Sequence, residues 1–248
     1  MSSSYSNSRR SESRPFQWIR EAVRTHGSIG AIAYYFGRSV EFIRDLTPER
    51  RRSRYGDIDY DFEHEVDTTW ATISLRTRFR EFLSGGQYQP SEPQLFHEIL
   101  QALAVNADGF TFIDLGSGKG RTLLMASDYP FHRIIGVELL DELNEIAKRN
   151  IARYHSEQQK CFALESYAQD AREFRFPIEP VMLYLFNPFP EHVLREVLAN
   201  LAASLRVSPR QAFVIYHNLV HERVFAECAW LTAVMRTTQY AIYRAVLT

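Results

Sequence analysis

Four polar side chains in this sequence stand where apolar runs end, and each is of a type that holds ligands. Asp114 follows FTFI (110–113), Glu138 closes RIIGV (133–137), Asp170 lies beyond CFAL (161–164), and Asn187 follows VMLYLF (181–186). Ionised carboxylates accept strong, directional hydrogen bonds from hydroxyl and amino groups. After Asp114 a glycine recurs at every second position: Gly116, Gly118 and Gly120. Where side chains are deleted between a strand and a helix, backbone N–H groups can approach a ligand closely. The spacing D-x-G-x-G-x-G departs from the G-x-G-x-x-G of dinucleotide folds, and Gly120 after Lys119 breaks the phosphate-binding G-x-x-x-x-G-K-[ST] pattern. Taken alone, the triplet also fits an ordinary tight strand-to-helix turn.

The elements that must position these residues alternate. A helix opens at Pro93 with Leu95, Phe96, Ile99, Leu100 and Leu103 on one face, and Asn106 to Gly109 turns into the first strand. Strands then follow at 110–113, 133–138, 161–164, 181–186 and 212–216. Between them run helices carrying Thr122 to Ala126, then Leu140, Leu143, Ile146, Ala147, Ile151 and Tyr154, then Leu194, Val197, Leu198, Leu201 and Leu205. Val220, Val224, Phe225 and Cys228 mark one more. Strands alternating with helices predict βαβ crossovers and a parallel sheet covered on both faces. The last two strands, 231–236 and 240–247, are separated by Thr237, Thr238 and Gln239, too few residues for a crossover, so they must be antiparallel. In an open parallel sheet ligands bind outside the carboxyl ends of the strands, where Asp114, Glu138, Asp170 and Asn187 all fall.

The 248 residues, 45% hydrophobic and 24% charged, suit a soluble globular protein with one large α/β domain and an appendage. A net charge of -1 gives no global attraction to nucleic acid or acidic membranes. Cys161 and Cys228 form neither a disulfide nor a metal framework, so no metal is expected and a reducing cytoplasm is the expected compartment. No apolar run approaches the length of a membrane span. Residues 1–15 read as a disordered Ser/Arg tail, with an organelle transit peptide as the second choice. Residues 16–86 read as a mainly helical extension, and 87–248 as the catalytic domain. Within the extension, Arg50, Arg51, Arg52 and Arg54 read as a solvated face in preference to an anion contact. Acidic residues alternate from Asp57 to Asp67 and would share one face if that segment were extended, holding a metal or a cationic substrate; an exposed edge or loop is the favoured reading. Tyr88, one helix upstream of the glycines, is placed to fold back over the site as a lid.

The run FIDLGSGKGR, the strand ending GVE and the alternating pattern resemble the class I S-adenosylmethionine (SAM) dependent methyltransferases. The resemblance implies a Rossmann-like three-layer sandwich with a mostly parallel seven-stranded sheet and a C-terminal antiparallel hairpin. It implies that Asp114, Leu115, Gly116, Ser117, Gly118 and Gly120 line the amino-acid end of SAM (product S-adenosylhomocysteine), with Tyr88 above. Glu138, 18 residues beyond Gly120, would accept the ribose hydroxyls, while Asp170 and Ala171 would meet the adenine. More distantly, these runs with VMLYLFNPF are similar to non-SET histone-lysine methyltransferases and related bacterial proteins of unassigned substrate, over roughly residues 88–218.

Asn187-Pro188-Phe189 looks like the [DNS]-P-P-[YF] signature of amino-group methyltransferases, with Phe189 where the second proline belongs. A carbonyl there accepts a hydrogen bond from an amine and aims its lone pair; a rigid proline turn before a helix is the competing reading. Asn187, Pro188 and Phe189 are therefore the expected acceptor site, and Asn187 also borders the cofactor. The expected activity is methyl transfer to an amine nitrogen, protein lysine first. A nucleic-acid amino group or small molecule is the alternative, and a catalytically silent SAM-binding scaffold is the rival from another class.

Overall fold

A computed structural model describes residues 23, 27, 28, 58–69, 73, 74, 77, 89–186 and 188–246. The chain divides into two compact units, Met1–Arg51 and Arg52–Thr248. The expected tail, and the helical rhythm of 16–46 apart from Val23, lie outside the described residues, as does the arginine cluster at 50–54.

In the second unit the elements run α1 (Ile58–Glu63), α2 (Pro93–Ala102), β1 (Thr111–Leu115), α3 (Arg121–Ala126), β2 (Arg133–Glu138), α4 (Asp141–Arg153), β3 (Leu164–Ala168), β4 (Val181–Phe186), α5 (Glu191–Val207), β5 (Ala212–His217), α6 (Glu222–Ala226), β6 (Leu231–Arg236) and β7 (Tyr240–Ala245). The strands form one sheet of order β3-β2-β1-β4-β5-β7-β6. β1 to β5 pair in parallel, whereas β7 is antiparallel to both β5 and β6. The mostly parallel sheet with a C-terminal hairpin is thus present as the sequence predicts. One strand shifts: β3 begins at Leu164 rather than Cys161, because it pairs Leu164–Ala168 with Ile134–Glu138.

Side-chain alternation sorts the sheet into two cores. Ile113, Leu115, Val137, Leu183, Leu185, Val214 and Tyr216 meet α5 and α6 on one face. Phe112, Ile134, Met182, Tyr184, Phe213 and Ile215 meet α2 and α3 on the other. The central strands are apolar on both faces, as parallel strands covered by helices must be. α5 buries Leu194, Val197, Leu198, Leu201 and Leu205, and α2 buries Leu95, Phe96, Ile99 and Leu100, the stripes read from the sequence.

The described part of the acidic stretch, 58–67, does not form a strand. Its first part is α1, which places alternate residues on different faces, so the one-faced carboxylate array does not form. Asp61 turns inward instead and accepts hydrogen bonds from the backbone N–H groups of Thr68 (2.7 Å) and Thr69 (2.8 Å). No helix among the described residues is long and apolar enough to cross a membrane.

Candidate functional site: the carboxyl edge of the sheet

Strand order reverses between β1 and β4, the neighbouring central strands from which the chain runs outward in both directions. That reversal opens a crevice above their carboxyl ends. The glycine loop leaves β1 there, and Pro188 and Phe189 follow β4. The two segments touch: a Cβ added to Gly116 would overlap the Pro188 side chain. Gly116 also has φ +88°, a conformation costly for any residue with a side chain. Gly118 and Gly120 take left-handed φ as well, and Gly120 caps α3.

The loop is tied to β2. Gly116 and Ser117 donate backbone N–H bonds to the Val137 carbonyl (2.8 and 3.1 Å), and Gly118 N–H donates to Glu138 Oε2 (2.9 Å). Leu140 N–H donates to Glu138 Oε1 (2.9 Å). Glu138 is 8% exposed. Burial raises its pKa, while the N–H groups of Leu140 and Gly118 pull it back. Asp114, 3% exposed, accepts from Thr122 Oγ1. Burial, partly opposed by that bond and reinforced by the Glu138 charge, pushes Asp114 up to about 7. Leu115 is fully buried in β1. Ser117 Oγ is buried with no hydrogen-bond partner among the described residues.

Asp170 caps the short 3-10 turn Ala171–Glu173, accepting from Arg172 N–H (2.9 Å) and pairing with the Arg172 guanidinium (2.7 Å). Burial works against its charge, but Arg172 outweighs it and holds the carboxyl below its usual range. Asp170 thus already serves three donors of Arg172, while Ala171 is buried beside it. The structure therefore brings Asp114, Leu115, Gly116, Ser117, Gly118, Gly120, Glu138, Pro188 and Phe189 to one edge of the sheet. Asp170 and Ala171 stand just beyond β3, where Gln169 N–H joins the Glu138 carbonyl (2.9 Å). Tyr88 and Asn187 lie outside the described residues.

Two further sets of residues at this edge belong to no sequence motif. The loop's own cations, Lys119 and Arg121, are 0% and 2% exposed. Lys119 Nζ donates to Asp67 (2.7 Å) and to the Thr69 carbonyl (2.6 Å). Arg121 donates to Thr68 Oγ1 (2.6 Å) and pairs with Asp61 (3.2 Å). The cation met by the acidic stretch is therefore the protein's own. Asn150 on α4 completes the clasp, donating to the carbonyls of Asp67 (2.8 Å) and Lys119 (2.9 Å). Among the described residues no group of three or more His, Cys, Asp or Glu is placed to hold a metal. The second set is Ser91, Tyr184 and His217, joined through hydroxyl and imidazole (3.2 and 2.8 Å) beneath the acceptor segment. His217 ends the fifth apolar run just as Asn187 follows the fourth, so the rule that picked out Asn187 would have found it.

The family profile described as "Histone methylation protein DOT1" matches residues 74–176. No curated protein sequence matches the chain. Similar solved structures include magnesium protoporphyrin IX methyltransferase from Synechocystis with bound SAM (12% identity, covering 73% of this chain and 100% of that one, TM-score 0.46). Others are a ribosomal protein L11 methylase from Lactobacillus delbrueckii (13%, 63% and 79%, 0.45) and an RNA methyltransferase from Salinibacter ruber with S-adenosylhomocysteine (20%, 63% and 92%, 0.41). With the strand order β3-β2-β1-β4-β5-β7-β6, a glycine loop after β1 and an acidic residue ending β2, the chain has the class I SAM-dependent methyltransferase fold.

Proposed function

We propose that this protein is a SAM-dependent methyltransferase acting on an amine nitrogen, with protein lysine the favoured acceptor. The observation that carries the proposal is the DOT1 profile match, because residues 74–176 hold the glycine loop, Glu138 and Asp170 together. The residues present fit the cofactor. Each Glu138 oxygen takes one backbone N–H, and a carboxylate has about four acceptor sites, so sites remain for two hydroxyls.

SAM, when bound, supplies an electrophilic methyl group on a sulfonium. Asp114 and the loop 115–120 would hold its amino-acid end, with Tyr88 as lid, Glu138 its ribose, and Asp170 and Ala171 its adenine. Asn187, Pro188 and Phe189 would form the acceptor port, Asn187 accepting a hydrogen bond from the amine and Phe189 flanking its carbon chain. The chain's contribution is position and exclusion of water; no covalent intermediate on the protein is needed. The domain would then begin before α1, since residues 61–69 clasp the loop, and 1–57 would remain for acceptor recognition.

Calorimetric titration with SAM and S-adenosylhomocysteine tests the cofactor. Removing a charged hydrogen-bond acceptor costs about 1.5–3 kcal/mol, so Glu138→Ala should weaken both ligands roughly 10- to 100-fold. Intact protein that binds neither ligand is the scaffold outcome and ends the enzyme proposal. Labelled methyl transfer to core histones, to other protein and to RNA then assigns the acceptor; label on RNA alone would replace lysine with a nucleic-acid amine.

A further inference from the structure

His217 is the last residue of β5, in register with Phe186, the last residue of β4. Their rings stack face to face, with centroids 4.0 Å apart and planes 5° apart. Phe186 lies two residues before Pro188, so the imidazole packs on the strand residue that leads into the acceptor segment. Three further features fix it. Its Nδ1 is bonded to Tyr184 OH (2.8 Å), and Tyr184 in turn to Ser91 Oγ (3.2 Å). Asn218, immediately after it, takes a left-handed turn (φ +63°), which asparagine tolerates better than most residues. The Asn218 N–H donates to the Gln239 carbonyl (2.7 Å), pinning the strand end to the β6–β7 turn.

The two nitrogens of an imidazole point in nearly opposite directions. Tyr184 OH takes Nδ1, so Nε2, on the far side of the ring, is the nitrogen left over at a strand end on the carboxyl edge of the sheet. Among the described residues Nε2 has no hydrogen-bond partner, although the residue is only 6% exposed. A held, largely buried ring with one nitrogen satisfied and the other unpartnered, at the carboxyl edge where ligands bind, can receive a ligand atom.

We infer that His217 is an acceptor-contacting residue, whose Nε2 accepts a hydrogen bond from the amine that receives the methyl group. The inference rests on the methyltransferase proposal above. The inference assigns the tautomer: with His217 Nδ1–H donating to Tyr184 and Tyr184 O–H to Ser91, Nε2 keeps its lone pair. Burial holds the imidazole well below its ordinary pKa, at about 4, with no compensating carboxylate. Protonating the ring is therefore costly, so His217 orients the amine and leaves its proton to solvent. Ser91 and Tyr184 are positioning residues: they hold Nδ1 and, in that tautomer, leave Nε2 as the acceptor.

The test compares two ligands on the full chain. S-adenosylhomocysteine lacks any group at the methyl position, whereas its analogue sinefungin carries an amine there. Calorimetry should show that the unsubstituted protein prefers sinefungin, and that His217→Phe loses roughly tenfold of that preference while its affinity for S-adenosylhomocysteine holds. His217→Gln, which keeps a side-chain acceptor, should restore part of it, and Tyr184→Phe should weaken it. In the unsubstituted protein, the imidazole nitrogen-15 signals of His217 should move with sinefungin and stay with S-adenosylhomocysteine; this measurement needs no variant to fold. An unchanged preference in His217→Phe, an equal loss for both ligands, or a His217 signal that ignores sinefungin would each overturn the assignment while leaving cofactor binding intact. Failure of the unsubstituted protein to bind either ligand would instead overturn the methyltransferase proposal, and this one with it.

Discussion

At the scale of single residues, the glycine loop shows why a missing side chain matters. Gly116 and Gly109 both take left-handed φ, +88° and +82°, but their surroundings differ. A Cβ on Gly116 would run into Pro188, whereas one on Gly109 would meet nothing within 4 Å. Gly109→Ala should therefore cost about 1 kcal/mol, the backbone strain alone. Gly116→Ala should cost that plus about 1–3 kcal/mol for overpacking, and should displace the acceptor segment. Urea midpoints of the two variants check this, and equal losses would mean that the loop and Pro188 do not pack as described. The triplet itself was plain in the sequence; the neighbour that forbids a side chain at its first glycine was not.

Among the elements, the segment through α1 carries the largest correction. Read as a string, 57–67 is an alternating acidic run with the look of a solvated edge. In the fold, Asp61 is the partner of Arg121, and the side chains of the pair are 12% and 1% exposed. The Arg121 guanidinium also lies over the Tyr60 ring, 4.9 Å from its centroid. Breaking a buried pair by deleting one member strands the other charge, at about 3–5 kcal/mol. Arg121→Met should lose stability on that scale and speed hydrogen exchange at the Thr68 and Thr69 amides, which Asp61 holds. Asp61→Asn keeps an oxygen for those amides and should lose less. If Arg121→Met is nearly neutral, or leaves both amides protected, the clasp does not hold this segment. Arg121 and Lys119 were visible as charges within a glycine loop, but a sequence does not say which acid, some 50–60 residues upstream, will meet them.

For the whole molecule, two buried groups on one face of the sheet pull stability in opposite directions with pH. His217 is held at about 4 against an ordinary 6.5, so the unfolded chain binds its proton first and stability falls as pH drops from 6.5 toward 4. Asp114 is held at about 7 against 3.8, so the unfolded chain loses its proton first and stability falls as pH rises from about 4 to 7. Each effect is on the order of 3 kcal/mol over its window, so in the intact protein they largely cancel. Relative to the unsubstituted chain, His217→Phe should become steadily less stable from pH 4.5 to 7, and Asp114→Asn steadily more stable. Urea titrations at four pH values decide it, and parallel curves for all three proteins would show that neither group titrates as its burial implies.

The sequence by itself determined the strand–helix alternation, the antiparallel hairpin forced by a three-residue connection, and the residues at the carboxyl edge of the sheet. These follow from local rules: period-two and period-3.6 burial, chain length in turns, and glycine where backbone must bend left. Tertiary structure decided what those rules cannot reach. It set β3 at Leu164–Ala168 by pairing it with β2, turned an acidic run into the counter-charge of Lys119 and Arg121, gave Asp170 to Arg172, and joined Ser91, Tyr184 and His217 across some 90 and 30 residues of chain. The physical reason is the same in each case. A buried charge or hydroxyl must find a partner once water is excluded, and which partner it finds depends on distances between elements that only the assembled sheet defines.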